Sequence, residues 1–165
     1  MRAVKRPPIG ADAVIPSPAP LQRLRRARLR RRAGVELRGR VALGRGVRVT
    51  VAPGARVVVG DGCVLNDRVR LEAVAGDLAL GARTLVGERA ILVSLAGLEI
   101  GEDCVIGAYA VVTPGPPPLR REPVRLGDRV RLGAHAAVEA GAEIPAGSVV
   151  GSYVVVAAEE EVRSA

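Results

Sequence analysis

From Leu126 onward the chain repeats every six residues, as LGDRVR, LGAHAA, VEAGAE, IPAGSV, VGSYVV and VAAEEE. Leu126, Leu132, Val138, Ile144, Val150 and Val156 open the units. The fifth position is small or apolar at Val130, Ala136, Ala142, Ser148 and Val154, until Glu160 closes the series. A helix does not keep a strict period of six, and simple strand alternation does not call for glycine after the leading aliphatic. A repeat of this kind specifies a solenoid: three units make one coil, and the leading aliphatic of each unit points inward above its counterpart in the coil before. Coil-to-coil neighbours then pair as parallel strands.

The same frame runs upstream from Val59, Leu65 and Leu71, from Leu80, Val86 and Leu92, and from Ile100, Ile106 and Val112. Three extra residues precede Leu80, two precede Ile100, and eight, Pro118 to Arg125, precede Leu126. Val41 to Val58 reads as a weaker first coil, giving about six coils over residues 35–161, with a loop insertion at 113–125 and a tail at 162–165. Composition agrees with a narrow, repetitive interior: the chain has no Phe or Trp and two Tyr, and Gly, Val, Ala and Leu dominate.

The formal charge of +8 is unevenly spread. Residues 1–34 carry ten of the 25 basic side chains and one of the 17 acids, which leaves fifteen and sixteen for the body. The basicity therefore belongs to an N-terminal arm, in which LQRLRRARLRRR, Leu21 to Arg32, is suited to a short helix. Leu21, Leu24 and Leu29 are expected to share a face that Arg25, Arg28 and Arg32 interrupt, which argues against an amphipathic membrane helix. Two roles remain for residues 21–32: a weak polyanion or membrane-surface contact, or a cover for the open edge of the first coil. No apolar stretch is long enough to span a bilayer, and the proline-rich first twenty residues lack the apolar run of a secretory signal, so a cytoplasmic protein is expected.

The frame also sorts the residues able to carry chemistry. Arg68, Arg89, Tyr109, His135 and Tyr153 hold the fourth position of the second unit in successive coils, so both tyrosines and the single histidine are expected to stack along one corner. Two readings of this stripe stand. It is a turn position where flat side chains stack comfortably, or it is a ligand stripe in which an imidazole serves as general base and tyrosines flank a planar group. Cys63 and Cys104 take the fifth position on the first face with Thr84 between them. Two coil steps place the thiols about 9.6 Å apart, beyond the reach of a disulfide, so they read as small buried residues.

IGEDCVIGAYAVV, Ile100 to Val112, and LGDRVRLGAHAAVEAGAEIPAGSVVGSYVVV, Leu126 to Val156, resemble the hexapeptide-repeat proteins, whose members include acyltransferases; the resemblance covers residues 59–161. It implies an all-β fold, a left-handed parallel β-helix with an N-terminal basic arm or short helix, assembled as a homotrimer. It also implies transfer of an acyl group from acetyl-coenzyme A or another acyl-coenzyme A to a hydroxyl or amine of a sugar-like or small-molecule acceptor. In that reading His135 is the catalytic base, Tyr109, Tyr153, Arg89, Arg120, Arg121 and Ser152 contact substrate or cofactor, and no metal takes part. The chain departs from the family in two places. The loop TPGPPPLRREPVR, Thr113 to Arg125, has no histidine where acetyltransferases commonly carry the catalytic one, and VAAEEEVRSA ends in glutamates where a coenzyme A segment carries lysine. Both departures favour the competing reading, a catalytically silent solenoid scaffold or binding protein.

Overall fold

The structure is a computed structural model that describes residues 19–113 and 121–158. One helix, Ala19–Arg30, precedes eighteen short strands that form three parallel sheets of six, the three faces of a β-solenoid. Strands three apart in sequence are neighbours in each sheet, so every third strand returns above its start. Five full turns lead from Val35–Leu37 to Glu143–Ile144 on the first face, and Val149–Val150 and Val155–Val156 complete the last coil.

Register follows the six-residue frame. On the first face Leu37, Val59, Leu80, Ile100, Leu126 and Ile144 align in one column. The leading residues of the other faces align likewise, and from the first coil to the fifth all are buried in one continuous core. Its interior is narrow enough that Val, Leu and Ile from three faces fill it, which is why the chain manages without large aromatics. The first coil starts earlier than the sequence suggests: Leu37, Leu43 and Val49 lead it, and Val41 holds a buried fifth position rather than a leading one. The interruptions before Val59, Leu80, Ile100 and Leu126 all fall at the corner leading from the third face back to the first.

The glycine after the leading aliphatic has a steric cause. A Cβ placed on Gly107 would lie 2.5 Å from the Gly133 carbonyl carbon and 2.6 Å from the Ala134 nitrogen, so the backbone of the next coil occupies the space a side chain would need. The fourth position imposes a different demand. Arg68, Arg83, Arg89, Asp103, Tyr109, Arg129, His135 and Tyr153 all adopt positive φ, between 55° and 62°, which makes these corners, after the first and second faces, left-handed turns.

The helix docks on the open edge of the first coil. Gln22 Nε2 donates to the Leu43 carbonyl and Leu43 N–H donates to Gln22 Oε1, both at 2.9 Å. Arg25 also donates to Leu43 O, Arg30 to Leu37 O and Arg32 to Val49 O, so side chains of the arm reach the edge carbonyl of every face. In later coils those carbonyl positions accept from an N–H of the preceding coil, as Leu65 O does from Gly44 N–H. Covering the edge is therefore an observed role of the arm. The leucines do not share a face as expected: Leu29 is buried against the core, whereas Leu21 and Leu24 point to solvent. An edge of backbone carbonyls calls for donors, and Gln22 and the arginines supply them. No helix among the described residues is long and apolar enough to cross a membrane.

Candidate functional site

The turn between the second and third faces brings four of the expected residues into one column. Tyr109 and His135 stack with ring centroids 4.9 Å apart and planes inclined by 6°; His135 and Tyr153 stack at 4.9 Å and 4°. The spacing is that of neighbouring strands, so the rings climb one coil at a time. The Arg89 guanidinium lies over the Tyr109 ring, 5.6 Å from its centroid, and extends the stack at its lower end. Backbone amides lock the column: Tyr109 N–H donates to Glu88 O, His135 N–H to Ala108 O and Tyr153 N–H to Ala134 O.

This ladder of Arg89, Tyr109, His135 and Tyr153 is exposed, and Tyr153 at its upper end is 76% accessible. Ser152 precedes Tyr153 in the same turn and is likewise exposed. Stacking covers both faces of the His135 ring but leaves its edge, where both nitrogens lie, open to an approaching group. No hydrogen bond or ion pair to the imidazole is formed among the described residues, so none of them fixes which nitrogen carries the proton.

Apolar residues flank the ladder. On the second face Val64, Leu85, Val105 and Val149 point outward in a column that Arg131 interrupts between the last two, and on the third face Ile91, Val111, Ala137 and Val155 do so. Arg121 is exposed but belongs to the corner between the third and first faces, so the fold does not bring it to His135. Arg120 lies outside the described residues.

The remaining polar groups serve the solenoid. Cys63 Sγ donates to Gly81 O, Thr84 Oγ1 to Gly101 O and Cys104 Sγ to Gly127 O, each bonding the coil above. Both thiols are free and buried, as expected, and burial pushes them above the ordinary cysteine range. At the corner between the first and second faces, Arg83 grips Asp103 through Nε at 2.7 Å and Nη2 at 2.8 Å while also reaching Glu102 at 2.8 Å. The hydrogen-bonded Arg83 guanidinium holds the Asp103 carboxyl below the usual aspartate range.

One feature of the arm was not foreseen from the sequence. Between the helix and the first coil lies a cavity of about 290 Å³ lined by Arg25, Arg28, Leu29, Arg32, Gly44 and Gly46, among others. The signal for it, three arginines spaced three and four residues apart before a Leu-Gly-Arg-Gly turn, is present in the sequence but gains meaning only once the helix is docked.

A search among curated proteins finds no match to the chain. A family model described as a hexapeptide repeat of succinyl-transferase matches residues 78–114 and 123–158, the third to sixth coils. With the six-residue register and the coil-to-coil glycine contacts, this match fits assignment of the chain to the hexapeptide-repeat superfamily.

Proposed function

We propose that the protein is an acyltransferase that moves an acyl group from a coenzyme A thioester to a hydroxyl or amine of a small acceptor, with His135 as general base. The observation that carries the reading is the open edge of an imidazole held rigidly between two tyrosines, in a chain matched by a repeat model of succinyl-transferase type. A base that removes the acceptor proton acts through an in-plane nitrogen lone pair, which stacking leaves exposed. Tyr153 offers an open ring face for a planar group at the upper end of the stack, Tyr109 offers its exposed edge, and Arg89 and Arg121 offer charge for phosphates.

A homotrimer suits this reading. The ladder and Arg121 occupy different corners, so a single chain does not assemble a site from both. The apolar columns beside the ladder provide surface for a neighbouring copy, whose other corner would then face His135. A cytoplasmic setting, where coenzyme A thioesters and reduced thiols occur together, fits the two buried free cysteines.

A second reading, a silent solenoid scaffold, is favoured by one observation. No carboxylate or carbonyl among the described residues orients the His135 ring, whereas working bases are commonly held by a third group. The test is thiol release from acetyl- and succinyl-coenzyme A with a panel of sugars and amines, alongside light scattering. The proposal expects a trimer that releases thiol only when an acceptor is present. A monomer, or a trimer that neither binds coenzyme A nor releases thiol with any acceptor, selects the scaffold.

A further inference from the structure

The two ends of the solenoid are finished differently. At the first coil the helix and the residues after it supply side-chain donors to an edge carbonyl of each face. At the last coil Glu143–Ile144, Val149–Val150 and Val155–Val156 are the outermost strands of their sheets, each with one neighbour among the described residues. In the coil below, Arg131 N donates to Ser148 O, Gly133 N to Val150 O, Ala137 N to Val154 O and Glu139 N to Val156 O. The same positions one coil higher are Val149, Gly151, Val155 and Ala157, and their N–H groups meet no carbonyl among the described residues. On the first face Pro145 removes one such donor, standing where Gly60, Gly81, Gly101 and Gly127 each donate to the coil above.

This end is apolar as well as open. Val149 is 74% exposed and Val155 61%, and Val154 is 43% exposed although its counterparts Val130 and Ala136 are fully buried. The coil from Ile144 to Ala158 has no charged side chain, whereas every coil below it has some. Sheet edges are ordinarily blunted by lysine, by inward charge or by proline, and the second and third faces carry none of these here. An edge left in that state is a template for another strand edge. Charge narrows what fits it, because an uncharged surface does not repel its own copy. Residues 159–165, EEEVRSA, carry three glutamates and one arginine and match it poorly. The first-coil end of a second copy is taken, since its own helix holds those carbonyls, and contact between unlike ends would propagate without closing.

We propose that the last coil is an interface with a second copy of this chain, the two joined end to end about a two-fold axis through the Val149–Val150 and Val155–Val156 edges. Such a contact is isologous, so it closes after two units, and it covers the open core at Val154 and the outer face of the Tyr153 ring. It is separate from any contact along the sides of the solenoid. End-to-end pairing doubles whatever unit the sides make, a trimer to a hexamer or a single chain to a dimer. It stands independently of acyl transfer at His135.

Sedimentation velocity and amide hydrogen exchange of the full chain over a range of concentrations test the proposal. The mass should reach six chains if the sides form a trimer and two if they do not. Over the concentrations at which it doubles, the amides of Val149 and Val155 should exchange more slowly. Ser152→Glu combined with Ala157→Glu should halve the mass, because like charges then face each other across the contact. Glutamate suits both places, since Glu88 and Glu139 hold the equivalent positions in lower coils, so circular dichroism should match the wild type. A wild type of one or three chains at every concentration overturns the proposal, and in the second case leaves the trimer standing. So does protection of Val149 and Val155 that is independent of concentration, the result expected if residues 159–165 cover the end. A double variant that folds and keeps the wild-type mass, or falls to a third of it, places the contact on the sides and overturns the proposal too. If the double variant misfolds, the concentration dependence of exchange in the wild type decides alone.

Discussion

Gln22 holds both backbone polar groups of Leu43, each at 2.9 Å, so one side-chain carboxamide pairs with the first coil as a further strand would. A solenoid must end somewhere, and each end leaves a row of unpaired amides or carbonyls. Here a helix rather than a strand closes the first end, because glutamine and arginine side chains reach the edge from a helix that satisfies its own backbone.

Gln22→Ala should therefore destabilise the protein although the residue is only half-buried. Arg25 still donates to the Leu43 carbonyl, so the Leu43 N–H is the group left without a partner, at a cost of about 1–3 kcal/mol. Amide hydrogen exchange at Leu43 should accelerate, while exchange in the fourth and fifth coils stays as it was. Equal protection of Leu43 in the variant and the wild type would mean that the pairing contributes nothing.

Most of the solenoid was legible because a period of six fixes the position of every residue modulo one coil. Once Leu126 is taken as a leading residue, the burial of Ile106, the stacking of His135 between two tyrosines and the separation of Cys63 from Cys104 follow. The phase fails in the first coil for a local reason. Val47, Val49, Val51, Val57, Val58 and Val59 supply aliphatics in several phases, and four extra residues precede Val59, so the sequence there admits more than one frame. The orientation of the helix was hidden by a physical mismatch. Leucine spacing predicts an apolar contact, but the surface that the helix meets is a row of carbonyls.

The glycine column yields a second prediction. Gly107→Ala forces a Cβ into the Gly133–Ala134 peptide, and overpacking of this kind costs about 1–3 kcal/mol. Gly147 supplies the contrast, since a Cβ there meets nothing within 4 Å and its demand is a φ of 76°. Asparagine tolerates that backbone, so Gly147→Asn should be the milder change in denaturant titrations. The reverse order would show that backbone conformation, not coil-to-coil contact, selects the glycines.

The Arg83–Asp103 pair gives a pH dependence with a definite sign. Arg83 holds the folded-state Asp103 pKa below its unfolded value, so the stability it contributes is present above the ordinary carboxylate range, about pH 4, and is lost as pH falls through the folded value. Asp103→Asn should be less stable than the wild type at neutral pH, with the gap closing under acid. Because both side chains are well exposed, the gap should be small and should shrink in high salt. A gap that widens toward low pH would reverse the assignment.

The ladder allows chemistry and packing at His135 to be separated by two substitutions. His135→Asn keeps a residue that accepts positive φ but removes the ring from between Tyr109 and Tyr153, losing two stacking contacts of about 0.5–1.5 kcal/mol each. His135→Tyr does the opposite. Tyrosine already occupies this column with φ of 60° and 62°, so it should continue the stack, yet its phenol does not accept a proton near neutrality. If His135 is the general base, both variants should lose acyl transfer by about 10²–10⁴-fold, while His135→Tyr melts close to the wild type. If the ring acts only by stacking, His135→Tyr should keep its activity and His135→Asn should lose stability. Kinetics and melting of the two variants, measured side by side, decide between these roles. A tyrosine variant that turns over at the wild-type rate would place the base elsewhere, even if the asparagine variant were inactive.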